Sequence, residues 1–147
     1  MYGYDAAKHV KGRKRHILVD TQGLLVGVLV TEASMPERLG AAALLLELAE
    51  RLPRLALIWV DSGYSGPRFA QAVKALVNAD VEVVKRQSPG FEVLPRRWVV
   101  ERTFAWLYQQ RRLVVDYEQL PEISEAVIYA AMTRLMLRRL AHQSNAA

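Results

Sequence analysis

The sequence predicts an α/β fold with a mixed sheet, and three observations carry that expectation. Short apolar runs ending in turn residues alternate with longer stretches at helical spacing. The first two runs are separated only by Thr21, Gln22 and Gly23, which suits an antiparallel hairpin, whereas the later runs are separated by helix-length segments, which suits parallel crossovers. With 147 residues and 52% apolar content, the chain is long enough to bury a core as about one domain.

Residues 16–20 and 24–31 read as the two strands of the hairpin, with Asp20 as its turn residue. Residues 37–52 follow as a helix, since Leu39, Ala42, Ala43, Leu46 and Ala49 recur at helical spacing until Pro53 ends the pattern. The continuous apolar run 55–60 reads as a buried central strand that gives out into Asp61-Ser62-Gly63-Tyr64-Ser65-Gly66. Residues 67–78 read as a helix, 81–85 as a strand and 87–90 as a loop. Two helices complete the chain: 96–113, entered through Pro95, and 122–140, entered through Pro121. Residues 1–113 are expected to form the main part of the domain and 114–147 its helical extension.

The formal charge is +5 and the excess is local, because Lys8, Lys11, Arg13, Lys14 and Arg15 stand together without an acid between them. Such a run points to nucleic acid as the partner and to phosphate contact by these five side chains. The absence of cysteine excludes disulfide scaffolds, thiolate metal sites and thiol nucleophiles. No apolar run approaches the roughly eighteen residues that span a bilayer, and the N-terminus lacks a signal-peptide pattern. The expected location is the cytoplasm, in association with the nucleoid.

Two acids stand out by position. Asp61 lies just beyond the carboxyl end of an apolar strand, where open α/β sheets bind ligands; as a turn residue or helix cap it would be unremarkable. Glu101 lies among five arginines on the helix 96–113. At about 100° per residue, Arg97, Tyr108 and Arg112 fall within roughly 40° of it, while Val100, Phe104 and Leu107 form the neighbouring apolar stripe. An ordinary ion pair between Arg97 and Glu101 is the bland alternative. Together the two carboxylates suggest metal-dependent phosphoryl transfer with magnesium, or manganese, as the ion. Arg97, Arg102, Arg111 and Arg112 would then hold the DNA backbone. Two acids are few for two metal ions, so a third is expected; Asp5 stays open for that role. His9, His16 and His142 lack the spaced partners of a zinc site. Trp59 is expected in the core, whereas Trp98 or Trp106 could stack on a base, and Tyr64 could reach a phosphate.

At this point the chain resembles the insertion-sequence transposases of the DDE type, which carry a ribonuclease-H-like catalytic domain. The resemblance rests on Tyr-Asp-Ala-Ala-Lys-His-Val-Lys-Gly-Arg-Lys-Arg-His-Ile-Leu-Val-Asp at 4–20, Ile-Trp-Val-Asp-Ser-Gly-Tyr-Ser-Gly at 58–66, Leu-Pro-Arg-Arg-Trp-Val-Val-Glu-Arg-Thr-Phe-Ala-Trp-Leu at 94–107, Arg-Arg-Leu at 111–113, and the segment 124–140. It implies a ribonuclease-H-like mixed sheet flanked by helices, with Asp61 as the second catalytic aspartate and Glu101 as the catalytic glutamate, both binding magnesium for strand cleavage and strand transfer. It also implies that Arg97 is the family's arginine four residues before the glutamate. Leu94 and Tyr108 occupy positions where the related pattern has a tyrosine and a lysine. The family's first aspartate belongs on a strand upstream of Tyr4, so the chain is expected to lack its first strand and to need an upstream transposase segment for activity. Element ends and target DNA are the expected partners, with a homo-oligomer as the active state. A non-catalytic DNA-binding regulator of a full-length transposase is the alternative.

Overall fold

A computed structural model describes residues 2–84 and 95–144, with the side chains of residues 95–97, 143 and 144 left aside. The expected loop 87–90, the end of the expected strand at Lys85, and Leu94 lie outside the described residues. The described residues form five strands and five α-helices in the order β1 (Gly3–Asp5), β2 (Val10–Val19), β3 (Leu25–Glu32), α1 (Glu37–Leu48), β4 (Leu57–Val60), α2 (Pro67–Val77), β5 (Asp80–Val83), α3 (Pro95–Tyr108), α4 (Arg111–Val114) and α5 (Pro121–Ser144). The mixed α/β character is as expected. The strands, however, form two groups: an antiparallel β1-β2-β3 sheet and a parallel β4-β5 pair.

The hairpin is longer than its apolar pattern. β2 begins at Val10, inside the basic run, and pairs with β1 through residues 10–12 and with β3 through residues 13–19, from Arg13↔Glu32 to Val19↔Leu25. Asp20 closes the turn, its Oδ1 accepting the amides of Gln22 (2.8 Å) and Leu24 (2.9 Å). Gly23 supplies the positive φ of 79° that the turn requires.

Strand alternation divides β2 between two layers. Ile17 and Val19 face a core made with Val28, Val30, Leu107, Leu113, Ile128 and Met132, so α3, α4 and α5 cover that side of the sheet. Leu18 faces the opposite way, into a core formed by Leu45, Ile58, Phe69, Val73 and Ala79 from α1, α2, β4 and the approach to β5. On that side α1 sits very close to the hairpin. A Cβ added at Gly40 would collide with the His16 ring, and one at Gly27 with the end of Leu48. The sheet is therefore the middle of three layers.

The helix expected from 37 is present, and the single helix expected over 96–113 is corrected. The buried residues of α1 are Gly40, Leu44, Leu45 and Leu48, while Leu39 and Leu46 are exposed. The helix is apolar nearly all round, so spacing alone does not choose a face; the close approach possible at Gly40 does. The expected helix 96–113 is two helices. Gln110 is extended (φ −89°, ψ 111°), and the Leu113 amide bonds to its carbonyl at 2.8 Å as α4 begins in a new direction. Arg112 therefore does not share the Glu101 stripe.

His16 is buried, and its Nε2 lies 3.0 Å from Thr31 Oγ1. Burial, aided by the nearby Lys14 charge and opposed by Glu37, holds its pKa below the ordinary 6.5. Its folded pKa is thus below its unfolded one, so the associated stability is complete above pH 6.5 and declines as pH falls through that value toward the folded pKa. Urea denaturation on either side of pH 6.5 is expected to show this slope in the native chain and a flatter one in His16→Gln. Replacing Gly40 with alanine is expected to cost about 1–3 kcal/mol by overpacking against the imidazole, measured by the same denaturation.

Candidate active site

Asp61 follows the last residue of β4 directly and opens a short 3₁₀ turn over Ser62–Tyr64. Its backbone remains extended (φ −81°, ψ 177°), and its Oδ1 accepts the Gly63 amide at 2.8 Å. The same turn is held from outside, since Arg38 Nε at the start of α1 donates to the Gly63 carbonyl at 2.8 Å. The carboxylate is thus fixed at the carboxyl end of β4, which is less buried than expected since only Ile58 of its four residues is buried, and one of its oxygens is engaged by the turn. Tyr64 packs on Phe69 with ring centroids 5.3 Å apart. Burial, reinforced by the charges of Glu37 and Asp61, raises the phenol pKa to about 12. Tyr64 is therefore a neutral hydrogen-bonding group at physiological pH.

The structure brings Glu37 to this site, a residue that the sequence marks only as the start of a helix. A Cβ placed on Gly63 would lie 3.0 Å from Asp61 Oδ1 and 3.8 Å from Glu37 Oε2, so the two carboxylates border one small space. Lys8, at the tip of the β1-β2 hairpin, reaches Glu37 Oε1 at 3.3 Å. The acidic first turn of α1 was visible in the sequence; that it meets the loop after β4 is a consequence of tertiary packing.

Glu101 lies on the exposed side of α3, and α3 runs against both β2 and β4. Thr103 and Arg102 anchor the helix to the hairpin turn. Thr103 Oγ1 donates to the Gly23 carbonyl at 2.7 Å, and Arg102 Nη2 donates to the Gln22 carbonyl at 2.8 Å. Arg102 is also sandwiched between Trp98 and Trp106, at 4.7 and 4.9 Å from their ring centroids, while Arg139 covers Trp106 at 4.3 Å. Among the described residues, no three acids or histidines gather closely enough to hold a metal ion.

Asp5 is engaged in the hairpin. Its Oδ1 accepts the amides of Ala7 and Lys8 at 3.0 and 3.2 Å, and its Oδ2 lies 3.3 Å from Lys14 Nζ. Burial acts to raise its pKa, but the Lys8 amide and Lys14 outweigh this and hold it below the ordinary carboxylate value.

The basic run divides by strand face. The Arg13 side chain is only 2% exposed, donating from Nη1 to the Glu118 carbonyl (2.8 Å) and lying 3.4 Å from Asp116 Oδ2. Arg15 donates to the Leu113 carbonyl at 2.9 Å. On the opposite face Lys14 meets Asp5 and the Met35 carbonyl. Lys8 and Lys11 are exposed. Arg111 is exposed on α4, and its neighbour Arg112 grips Glu118 Oε1 through Nε and Nη2 at 3.0 and 2.8 Å. The side chain of Arg97 lies outside the described ones.

A family model described as the transposase DDE domain matches residues 1–136. The chain belongs to the DDE transposase family. It is 29% identical over 128 residues to a Burkholderia cepacia protein bearing the name of a transposase for insertion sequence element IS402. That match covers 80% of this chain but 59% of the relative, so the chain spans less than two thirds of the relative's length. No solved structure matches. No helix among the described residues is long and apolar enough to cross a membrane.

The strand faces predict two different phenotypes. Arg13→Ala is expected to destabilise the fold by about 3–5 kcal/mol, because it leaves a largely buried carboxylate without its cation. Lys11→Ala is expected to leave the denaturation midpoint unchanged and to lower DNA affinity while reducing its salt slope by about one, as measured by binding titrations at several salt concentrations.

Proposed function

We propose that this chain is the greater part of a transposase catalytic domain, in which Asp61 and Glu101 are two of the carboxylates for metal-dependent DNA strand cleavage and strand transfer. The observation that carries the proposal is the setting of Asp61, locked at the carboxyl end of β4 with α3, the bearer of Glu101, laid against the same strand. Magnesium or manganese would supply Lewis-acid stabilisation of the reacting phosphate, once a further acid completes the ligand set.

The strand arrangement supports an incomplete ribonuclease-H-like sheet. From Arg13 to Val19 the ladder of β2 is with β3, and β4 pairs with β5. Both strands thus keep an edge with no strand partner among the described residues, and α3 packs against both. An extended segment carrying an aspartate, entered between these edges, would satisfy their backbone groups and bring a third carboxylate near Asp61. Lys8, Lys11, Arg97, Arg111 and Arg112 are the proposed phosphate contacts, whereas Arg13, Lys14, Arg15 and Arg102 act mainly within the fold. The absence of a three-acid cluster among the described residues favours a second reading, a non-catalytic DNA-binding regulator.

Supercoiled plasmid incubated with the purified chain and magnesium or manganese is expected to stay intact. With the upstream transposase segment supplied, nicking is expected, and Asp61→Asn or Glu101→Gln should reduce it by more than about 100-fold. Nicking by the chain alone that Asp61→Asn abolishes would overturn the need for a further segment. Salt-dependent DNA binding with no metal effect and no nicking in the completed form would establish the regulator instead.

A further inference from the structure

The segment between α4 and α5 is fixed from one side and bare on the other. Its backbone is extended at Val115 (φ −125°, ψ 138°), so successive side chains point to opposite sides. Asp116 and Glu118 turn inward, with side chains only 16% and 18% exposed. Asp116 meets Arg13 and accepts the Ser124 hydroxyl at 3.0 Å and the Glu118 amide at 3.1 Å. Arg13 also donates to the carbonyls of Glu118 and Gln119. Val115 and Tyr117 turn outward: Tyr117 is 75% exposed, and Val114 and Val115 are about half exposed. Among the described residues, Tyr117 makes no hydrogen bond or ring contact. A buried arginine thus holds in place a strip whose outer side chains contribute nothing to the core.

These side chains border a shallow groove lined by Arg111, Arg112, Val114, Val115 and Tyr117. We propose that the groove binds an unpaired base of DNA, with Tyr117 stacked on the base and Arg111 on the adjacent phosphate. The proposal rests on the transposase reading above and specifies the form of DNA that the chain prefers. Charge decides the occupant. The acids of the segment are neutralised on its inner side, whereas Arg111 is exposed and forms no ion pair among the described residues. A cation beside a bare aromatic ring matches a nucleotide, which offers an anion next to every π-face. Stacking decides the state of the base. Within a duplex both faces of a base are covered by its neighbours, so a protein ring finds a free face only at an end or on a strand outside the helix. Strand cleavage creates such ends. Because the backbone of the strip is already fixed, and tyrosine has only two side-chain torsions to order, little freedom is lost on binding.

Binding titrations of the purified full chain, without metal, compare a blunt duplex with the same duplex carrying a short single-stranded extension. The extended form is expected to bind about 5- to 150-fold more tightly, the range for one base stacked on an aromatic ring. Tyr117→Ala is expected to remove that preference without changing the salt slope or thermal melting, and Tyr117→Phe to keep it. Arg111→Ala is expected to reduce the salt slope by roughly 0.7. A 2-aminopurine placed in the extension reports the contact directly, its fluorescence being quenched by the native chain and by Tyr117→Phe but not by Tyr117→Ala. Salt-dependent DNA binding without preference for the extension, or a preference that persists in Tyr117→Ala, would overturn the stacking site and leave the transposase reading intact. Equal competition by a free mononucleotide would assign the groove to a small nucleotide instead, and Tyr117-dependent self-association with no effect on DNA would assign it to a protein. Absence of any DNA binding would overturn this site and the transposase reading together.

Discussion

The two groups of strands are held in one structure largely through the seating of α1 on the hairpin. Gly40 lets the helix settle against the His16 ring, and Gly27 admits the end of Leu48 from the same side. A side chain at Gly40 would lift the helix off β2. The consequence would not stop at the hairpin, because α1 also packs on α2 and shares Leu45 with the core around Ile58 and Val73. Its first turn then reaches the loop after β4, where Arg38 holds the Gly63 carbonyl and Glu37 borders Asp61. Packing in the core and the geometry of the candidate site are thus parts of one constraint.

Sheet edges are treated unequally, and the difference follows from the placement of α5. The outward amides of β3 are satisfied by side chains of that helix, with Val28 donating to the Tyr129 hydroxyl at 3.2 Å and Val30 to Glu125 Oε1 at 2.7 Å. Burial raises the Glu125 pKa against the opposing effect of the Val30 amide, so this carboxylate is retained at a cost that the strand amide partly offsets. Such plugging prevents another strand from adding at β3. The described contacts provide no equivalent for β2 along Arg13 to Val19, which lies on the side where the proposed segment would enter. One edge is closed by α5, and the other faces the gap between the two strand groups.

Apolar punctuation made much of the architecture legible. The hairpin turn at Asp20, the strand ending at Val60, Asp61 just beyond it, helices beginning at Glu37 and Pro67, and a last helix entered at Pro121 all followed from spacing and turn chemistry. The errors have a common cause in residues whose role depends on distant partners. The first part of β2 was hidden because its residues are basic, and a basic strand looks like a solvated tail until Asp5, Asp116 and the carbonyls of Leu113 and Glu118 are known to receive it. The break at Gln110 carries no proline or glycine to announce it; it arises where Leu113 must turn into the core beside Ile128. Glu37 was unreadable as a site residue because only the packing of α1 brings it to Gly63.

Charge illustrates the same dependence on context. A net charge of +5 with a dense basic run looks like a footprint for DNA, yet within that run the deepest side chains serve the protein. Arg13 ties the segment before α5 to β2, Arg15 receives the end of α4, and Lys14 joins the hairpin to the chain beyond β3. Farther along, Arg102 is locked between two indole rings while bonded to the hairpin turn. Each of these cations replaces lost hydration with carbonyls, carboxylates or aromatic faces, which is why it can be partly or wholly buried. The local basic excess therefore does not translate directly into surface potential. What it leaves for a polyanion is concentrated at the hairpin tip, at Lys8 and Lys11, and on α4, at Arg111 and Arg112, where the side chains stay exposed.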